Sequence, residues 1–296
     1  MNRSNKVFMV GLIVFSLMPQ ELSASSNKIV ITVDAGQRCF LANGIPDHPT
    51  GDFPRRGNPN TISEQEIHVC ITTSPKKKRS ITPIRGTLGI AINGVQFRPN
   101  TAGSWDPFAR RGHSRHGDRN WTIDIFGARG RLGLDFNNAH VGRGGLYHYH
   151  GVPTGLLKIS GGSLVGYAGD GFEIHYIEEF KQSGWALKKG NRLSGPLGRY
   201  DGTYNEDYVY VGGEGKLDQC NGGNLKGKYV YFITDTYPFL PRCLYGEVSD
   251  DFNSLIFMFN QFSLLLISLI FFDLFAATDF GDSDILKAFI VAFNIL

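Results

Sequence analysis

Gly144-Gly145-Leu146-Tyr147-His148-Tyr149-His150-Gly151 is the stretch that decides the fold and the site predicted for this chain. Tyrosine and histidine alternate between glycines, which is typical of a short β-strand bounded by turns. Successive side chains of a strand point to opposite faces of a sheet. His148 and His150 are therefore predicted to share one face, while Tyr147 and Tyr149 share the other.

A third histidine, His140, lies eight residues before His148. A hairpin that turns around residues 142–145 would bring His140 back beside His148 or His150. Three imidazoles on one face would suit a zinc or copper ion. The fourth ligand could then be water, Asp170 or Asp135.

Two other interpretations of these histidines stay open. Histidine, asparagine and tyrosine in glycine-rich strands often satisfy buried polar groups, so the cluster could be a purely structural network. The histidines could also act directly as acids and bases without a metal. Asp170, between two glycines, could be a metal ligand, a general base or only a turn residue.

The signature stretch, continued by Gly151-Val152-Pro153-Thr154-Gly155-Leu156, resembles the defining segment of the YHYH domain family. The resemblance covers roughly residues 35–246. Its further matching segments are residues 43–48, 57–60, 89–95, 134–140, 166–172, 200–204, 217–222 and 234–243. Because His140, His148, His150 and Asp170 all lie in matching segments, the resemblance implies a shared site. It implies no particular reaction.

The composition predicts an all-β or β-dominated fold. The 296 residues include 37 Gly, 13 Pro and 12 Tyr, a mixture that suits many short strands with turns between them. We expect a sandwich or an irregular barrel with long loops, in one domain over residues 26–246. Only residues 177–189 resemble a helix.

The N-terminus and the cysteines indicate export. Residues 1–24 have a positive start, an apolar run and small residues for cleavage, as in a secretory signal peptide. The four cysteines suggest two disulfides, because no Cys-x-x-Cys spacing supports a zinc site. Their grouping along the chain favours the pairs Cys39–Cys70 and Cys220–Cys243. We therefore expect a secreted protein, extracellular or periplasmic.

Residues 247–296 form a hydrophobic tail of different character. Residues 254–272 carry no charge and are dominated by Leu, Ile and Phe, which is long enough for a transmembrane helix. Residues 276–278 could instead begin a lipid-anchor attachment signal. A buried helix and an artefact of the gene model are the remaining alternatives. Membrane association through this tail is thus one expectation among several.

Charge and missing motifs exclude several functions. The net charge of +3 gives no strong field for nucleic acid, so we expect no nucleic-acid partner. The cationic loop at residues 110–119 is either a solvated surface or a site for an anion or acidic glycan. Nucleophile-elbow, Walker and His-Glu-x-x-His motifs are absent from the sequence. Asn120 begins a glycosylation sequon.

We therefore favour a secreted or cell-surface domain that binds a metal or another ligand through its histidines. One alternative is a metal-dependent hydrolase or oxidoreductase that uses the same site, with Asp170 as the base and a metal-bound water as the nucleophile. Another is a structural or adhesive surface module. The sequence does not identify the ligand or surface partner.

Overall fold

A computed structural model describes residues 25–127, 132–178 and 182–252 of the chain. The predicted signal peptide and nearly all of the hydrophobic tail lie outside these residues. Among the described residues, no helix has the length and apolar character that a membrane span needs.

The described chain is dominated by short strands, as the composition predicts. The strands are β1 Ile29–Asp34, β2 Gln37–Ala42, β3 Ile67–Thr72, β4 Thr82–Pro83, β5 Gly89–Ala91, β6 Gln96–Phe97, β7 Ser104–Trp105, β8 His113–Ser114, β9 Asp118–Thr122, β10 Ala139–Val141, β11 Tyr147–Tyr149, β12 Leu164–Ala168, β13 Glu173–His175, β14 Trp185–Leu187, β15 Tyr208–Tyr210, β16 Gly222–Leu225, β17 Lys228–Phe232 and β18 Cys243–Leu244. The α-helix is α1 Thr154–Ser160, and short 3-10 turns span Arg143–Gly145, Asn205–Asp207 and Asp250–Phe252.

An eight-stranded mixed sheet organises the fold. Its strand order is β10-β11-β6-β5-β12-β13-β17-β16, so the signature strand β11 lies between β10 at one edge and β6. Strands β10 and β11 are antiparallel, whereas β11 and β6 are parallel. The remaining strands form smaller sheets, among them β1-β2-β3. Within the described residues these sheets do not close into a barrel.

The two faces of the large sheet have different environments. Tyr147 and Tyr149 are fully buried in the main hydrophobic core, together with Phe97. On the other face, Ile90 packs against apolar side chains of β2 and β3, including Phe40 and Val69. Because paired residues share a face and His148 pairs with Gln96, which pairs with Ile90, the histidines lie on this second face.

Both expected disulfides form. Cys39 and Cys70 face each other across the β2–β3 ladder and are bonded. Cys220 is bonded to Cys243, and both are buried in the main core. The grouping of the cysteines along the chain thus gave the pairing.

The helix expected over residues 177–189 is wrong where that segment is described. Trp185–Leu187 is a strand that pairs with Tyr208–Tyr210, and cross-strand packing here overrides a weak helical pattern. The α-helix is instead Thr154–Ser160, which ends at Gly161 in the left-handed conformation. It follows directly on the signature strand.

Candidate metal centre

A tight hairpin joins β10 to β11 and carries His140 together with the two signature histidines, His148 and His150. His140 lies directly opposite His148 in the antiparallel register. The turn uses Gly144 and Gly145, both at positive φ (77° and 83°), a conformation that favours glycine. A Cβ on Gly145 would lie only 1.8 Å from Oγ of Ser63. The glycines of the signature therefore permit the turn that pairs the histidines.

The three imidazoles form one compact group. One ring nitrogen from each of His140, His148 and His150 lies within 4.8 Å of the others. Nε2 of His140 is 3.2 Å from Nε2 of His150. The ring centroids of the three pairs are 4.7 to 4.9 Å apart. The predicted hairpin contact between His140 and the other two histidines is confirmed.

Backbone carbonyls orient two of the rings. Nδ1 of His140 is 2.7 Å from the carbonyl oxygen of Leu132, and Nδ1 of His148 is 3.0 Å from that of Leu146. A carbonyl only accepts, so each Nδ1 carries the proton and each neutral ring keeps its lone pair on Nε2. This arrangement is typical of metal-binding histidines. Nδ1 of His150 is buried and has no hydrogen-bond partner among the described residues.

Burial keeps the histidines neutral. It is the main cause that lowers the pKa of His148 and His150 well below the usual value, and the neighbouring imidazoles add to the effect. The pKa of half-buried His140 is also lowered, mainly by burial, although the Leu132 carbonyl and Asp135 oppose the shift. The positive charge of Arg98 lowers the pKa of all three. The lone pairs are thus free at neutral pH.

The tyrosines of the signature hold the hairpin from the opposite face. The hydroxyl of Tyr147 donates to Asp135 at 2.7 Å. The hydroxyl of Tyr149 lies 2.5 Å from Nε2 of His48 and accepts from Nδ2 of Asn93 at 3.0 Å. The tyrosines of the signature therefore anchor the strand in the main core, and its histidines, on the opposite face, form the group that could hold a metal.

Comparison with known proteins places these residues in a family. The family model described as YHYH protein matches residues 68–246, more than half of the chain. The chain belongs to the YHYH family. No curated protein and no solved structure shows a significant match.

A segment before the matched region of this YHYH protein also supports the site. Amide groups of Asn58 and Asn60 both donate to the carbonyl of Val141 in β10, at 2.9 and 2.8 Å. His48 is buried against Tyr149, and its Nε2 contacts the Tyr149 hydroxyl. The isolated His and Asn residues of a turn-rich stretch gave no local sign of these contacts.

Asp170 does not belong to the histidine group. It is buried in the turn between β12 and β13, and its Oδ2 accepts from the Tyr231 hydroxyl at 2.7 Å and from the Gly246 amide at 2.8 Å. Burial raises its pKa, opposed by these hydrogen bonds. Asp170 therefore stabilises this turn through hydrogen bonds. It does not lie with the histidines as the expected fourth ligand.

Asp135, the other acidic residue considered as a fourth ligand, is also occupied. Its Oδ1 accepts from the amides of Asn137 and Ala139, and its Oδ2 accepts from Tyr147 and from the amide of Gly51. These bonds close the turn before β10. Asp135 thus positions the hairpin that carries the histidines.

The remaining candidate positions lie elsewhere in the fold. Asn120 is exposed in β9, which leaves its sequon accessible, and its amide donates to Asp118 at 2.8 Å. In the cationic loop, Arg111 and His113 line a cleft of about 470 Å³ together with Trp105. Neither feature contacts the histidine group.

Proposed function

We propose that this chain is an exported metal-binding domain whose His140, His148 and His150 hold one copper or zinc ion. The observation that carries the proposal is the convergence of three neutral imidazoles, two of them with Nε2 lone pairs fixed by their carbonyl partners. Three imidazole ligands are a recurrent set for both metals.

The geometry of the closest pair supports this interpretation. Two nitrogens bound to one tetrahedral ion at 2.0–2.1 Å are separated by about 3.3 Å. The Nε2 atoms of His140 and His150 are 3.2 Å apart. In the metal-free protein either Nε2 of His150 donates to Nε2 of His140 or the two lone pairs repel each other. An ion between the two nitrogens would replace either state with two metal–nitrogen bonds at nearly this spacing.

A catalytic role is the second candidate. The group found among the described residues has three ligands, and three protein ligands leave a coordination position open for water or substrate. That open position supports a metal-dependent hydrolase or oxidoreductase as the alternative. Asp170 is not the base in such a reaction, because its carboxylate is held by Tyr231 and Gly246.

Metal content tests the proposal. The full chain, with its disulfides intact, is stripped with a chelator, exposed to equimolar copper or zinc, desalted and analysed for bound metal. We expect about one ion per chain in the wild type and a loss of most of it in His148→Ala and His150→Ala. His175→Ala is the matched control, since His175 is equally buried but pairs with Glu173 outside the group.

Two outcomes would overturn the proposal. One is a folded wild type that retains no metal. The other is a pair of triad variants that retain as much metal as the control. In that case a large loss of thermal stability in the variants would favour the structural network, because truncation would leave buried partners unsatisfied.

A further inference from the structure

Arg98 lies beside the histidine group on the same face of the sheet. Strands β6 and β11 pair His148 with Gln96 and Tyr149 with Phe97. The amide of Arg98 then donates to the carbonyl of Tyr149 at 2.9 Å, which continues the parallel ladder by one residue. This register places Arg98 next to His150, and side chains of register partners share a face.

The charge of Arg98 has no partner in the part of the chain that the structure describes. Within residues 25–127, 132–178 and 182–252, its half-buried guanidinium makes no hydrogen bond or ion pair, and burial lowers its pKa. Arg242, the other arginine whose charge acts on His150, is instead paired with Asp124 at 2.7 Å. A partly buried cation without a partner is costly, which points to a partner that comes from outside.

Among the residues that the structure describes, no acidic side chain near the histidines balances this charge. Asp135 is the carboxylate whose charge acts on His140, but its two oxygens already accept four hydrogen bonds. Three neutral imidazoles leave the double charge of a bound ion intact, and Arg98 adds one more. The site is therefore cationic and complementary to an anion.

We propose that Arg98 and a metal ion on His140, His148 and His150 together bind a small oxyanion, a carboxylate or a phosphate. One anion oxygen occupies the open coordination position and a second accepts from the guanidinium. Arginine suits this task because its planar fork matches two oxygens of one anion. The inference rests on the proposed metal site and names the class of ligand that this site takes.

Cobalt-loaded protein provides the test. The full chain is loaded with Co²⁺, and its visible absorption is followed during separate titrations with inorganic phosphate and with acetate. We expect a saturable spectral change with at least one of them in the wild type. Arg98→Gln should weaken that affinity by about tenfold or more while one cobalt per chain remains. Arg85→Gln, an exposed arginine that does not act on the histidines, is the control.

The possible outcomes distinguish failure of the oxyanion site from failure of the metal site. No spectral response of the cobalt-loaded wild type to either anion overturns the oxyanion site but leaves the metal site standing. The same holds if Arg98→Gln titrates like the wild type. If Arg98→Gln does not fold, Arg98→Lys replaces it: weaker binding supports the proposal, and unchanged binding overturns it. A chain that takes up no cobalt, copper or zinc overturns the metal site and the inference together.

Discussion

Nε2 of His140 lies 3.2 Å from Nε2 of His150, although ten residues separate them in the chain. The contact exists because the hairpin reverses the chain and sets His140 opposite His148. In the metal-free protein, either Nε2 of His150 donates to Nε2 of His140 or the lone pairs of the two nitrogens repel each other. Either state leaves this buried group poorly satisfied, since Nδ1 of His150 also lacks a partner.

The turn glycines should be unequal in their effects. Gly144→Ala places a Cβ where no atom lies within 4 Å, so it meets only the cost of a positive φ, about 1 kcal/mol. Gly145→Ala adds a clash with Ser63 and should cost clearly more and weaken metal binding. Denaturant unfolding and metal titration of both variants check this. If the two variants lost equal amounts of stability and metal affinity, the clash with Ser63 would be relieved without a movement of the hairpin, which would contradict this prediction.

The tyrosines should affect stability without abolishing metal uptake. Tyr147→Phe removes the hydroxyl that donates to Asp135, and we expect a loss of about 1–3 kcal/mol in the free energy of unfolding. Metal stoichiometry should stay near that of the wild type. Tyr210→Phe is the control, because its hydroxyl makes one long bond of 3.4 Å at the surface, and it should change stability by less than about 0.5 kcal/mol.

Asp170→Asn separates the structural and ligand roles of this residue. Since Asp170 accepts from Tyr231 and Gly246 inside the core, the substitution should lower the free energy of unfolding by about 1–3 kcal/mol. Metal content should not change. A folded Asp170→Asn protein that loses its metal would instead restore Asp170 as a ligand, as its place in the family pattern had suggested.

Stability of the metal-free protein should fall as the pH is lowered through about 6.5. Burial lowers the pKa of His140, His148 and His150 in the folded state, whereas the unfolded chain titrates near 6.5. Below that pH the unfolded state binds more protons, so protonation favours unfolding. Each histidine adds a slope of up to about 1.4 kcal/mol per pH unit, until the pH reaches its folded pKa.

Unfolding in denaturant from pH 7.5 to 5 measures this slope. His148→Gln/His150→Gln should show a shallower dependence, because two of the three neutral imidazoles are gone. Equal slopes for the variant and the wild type would mean that other groups control the acid sensitivity.

Local features of the sequence were enough to predict the signature strand and the hairpin. Residues 147–149 alternate with period two, and glycines mark the turn before them, so the shared face of His148 and His150 could be read directly. The helix predicted at Trp185–Leu187 is wrong because this segment pairs with Tyr208–Tyr210, about twenty residues further along the chain. That pairing outweighs local propensity.

Contacts between distant segments could not be read from the sequence. Nothing near Arg98 in the sequence indicates that β6 runs parallel to β11. The place of Arg98 beside His150 depends on a long crossover connection between these two strands. His48 likewise reaches Tyr149 across the fold. For Asp170 the prediction is wrong in the other direction. Its position in the family pattern suggested that it lies beside the histidines, but it is hydrogen-bonded to Tyr231 instead.

X-ray absorption of the copper- or zinc-loaded full chain tests the central claim most directly, because it reports the atoms bound to the ion. We expect nitrogen scatterers at about 2.0–2.1 Å with the outer-shell pattern of three imidazoles, reduced to two in His148→Ala if any metal remains. A first shell of oxygens alone, or one that His148→Ala and His150→Ala leave unchanged, would contradict a metal site on the signature histidines.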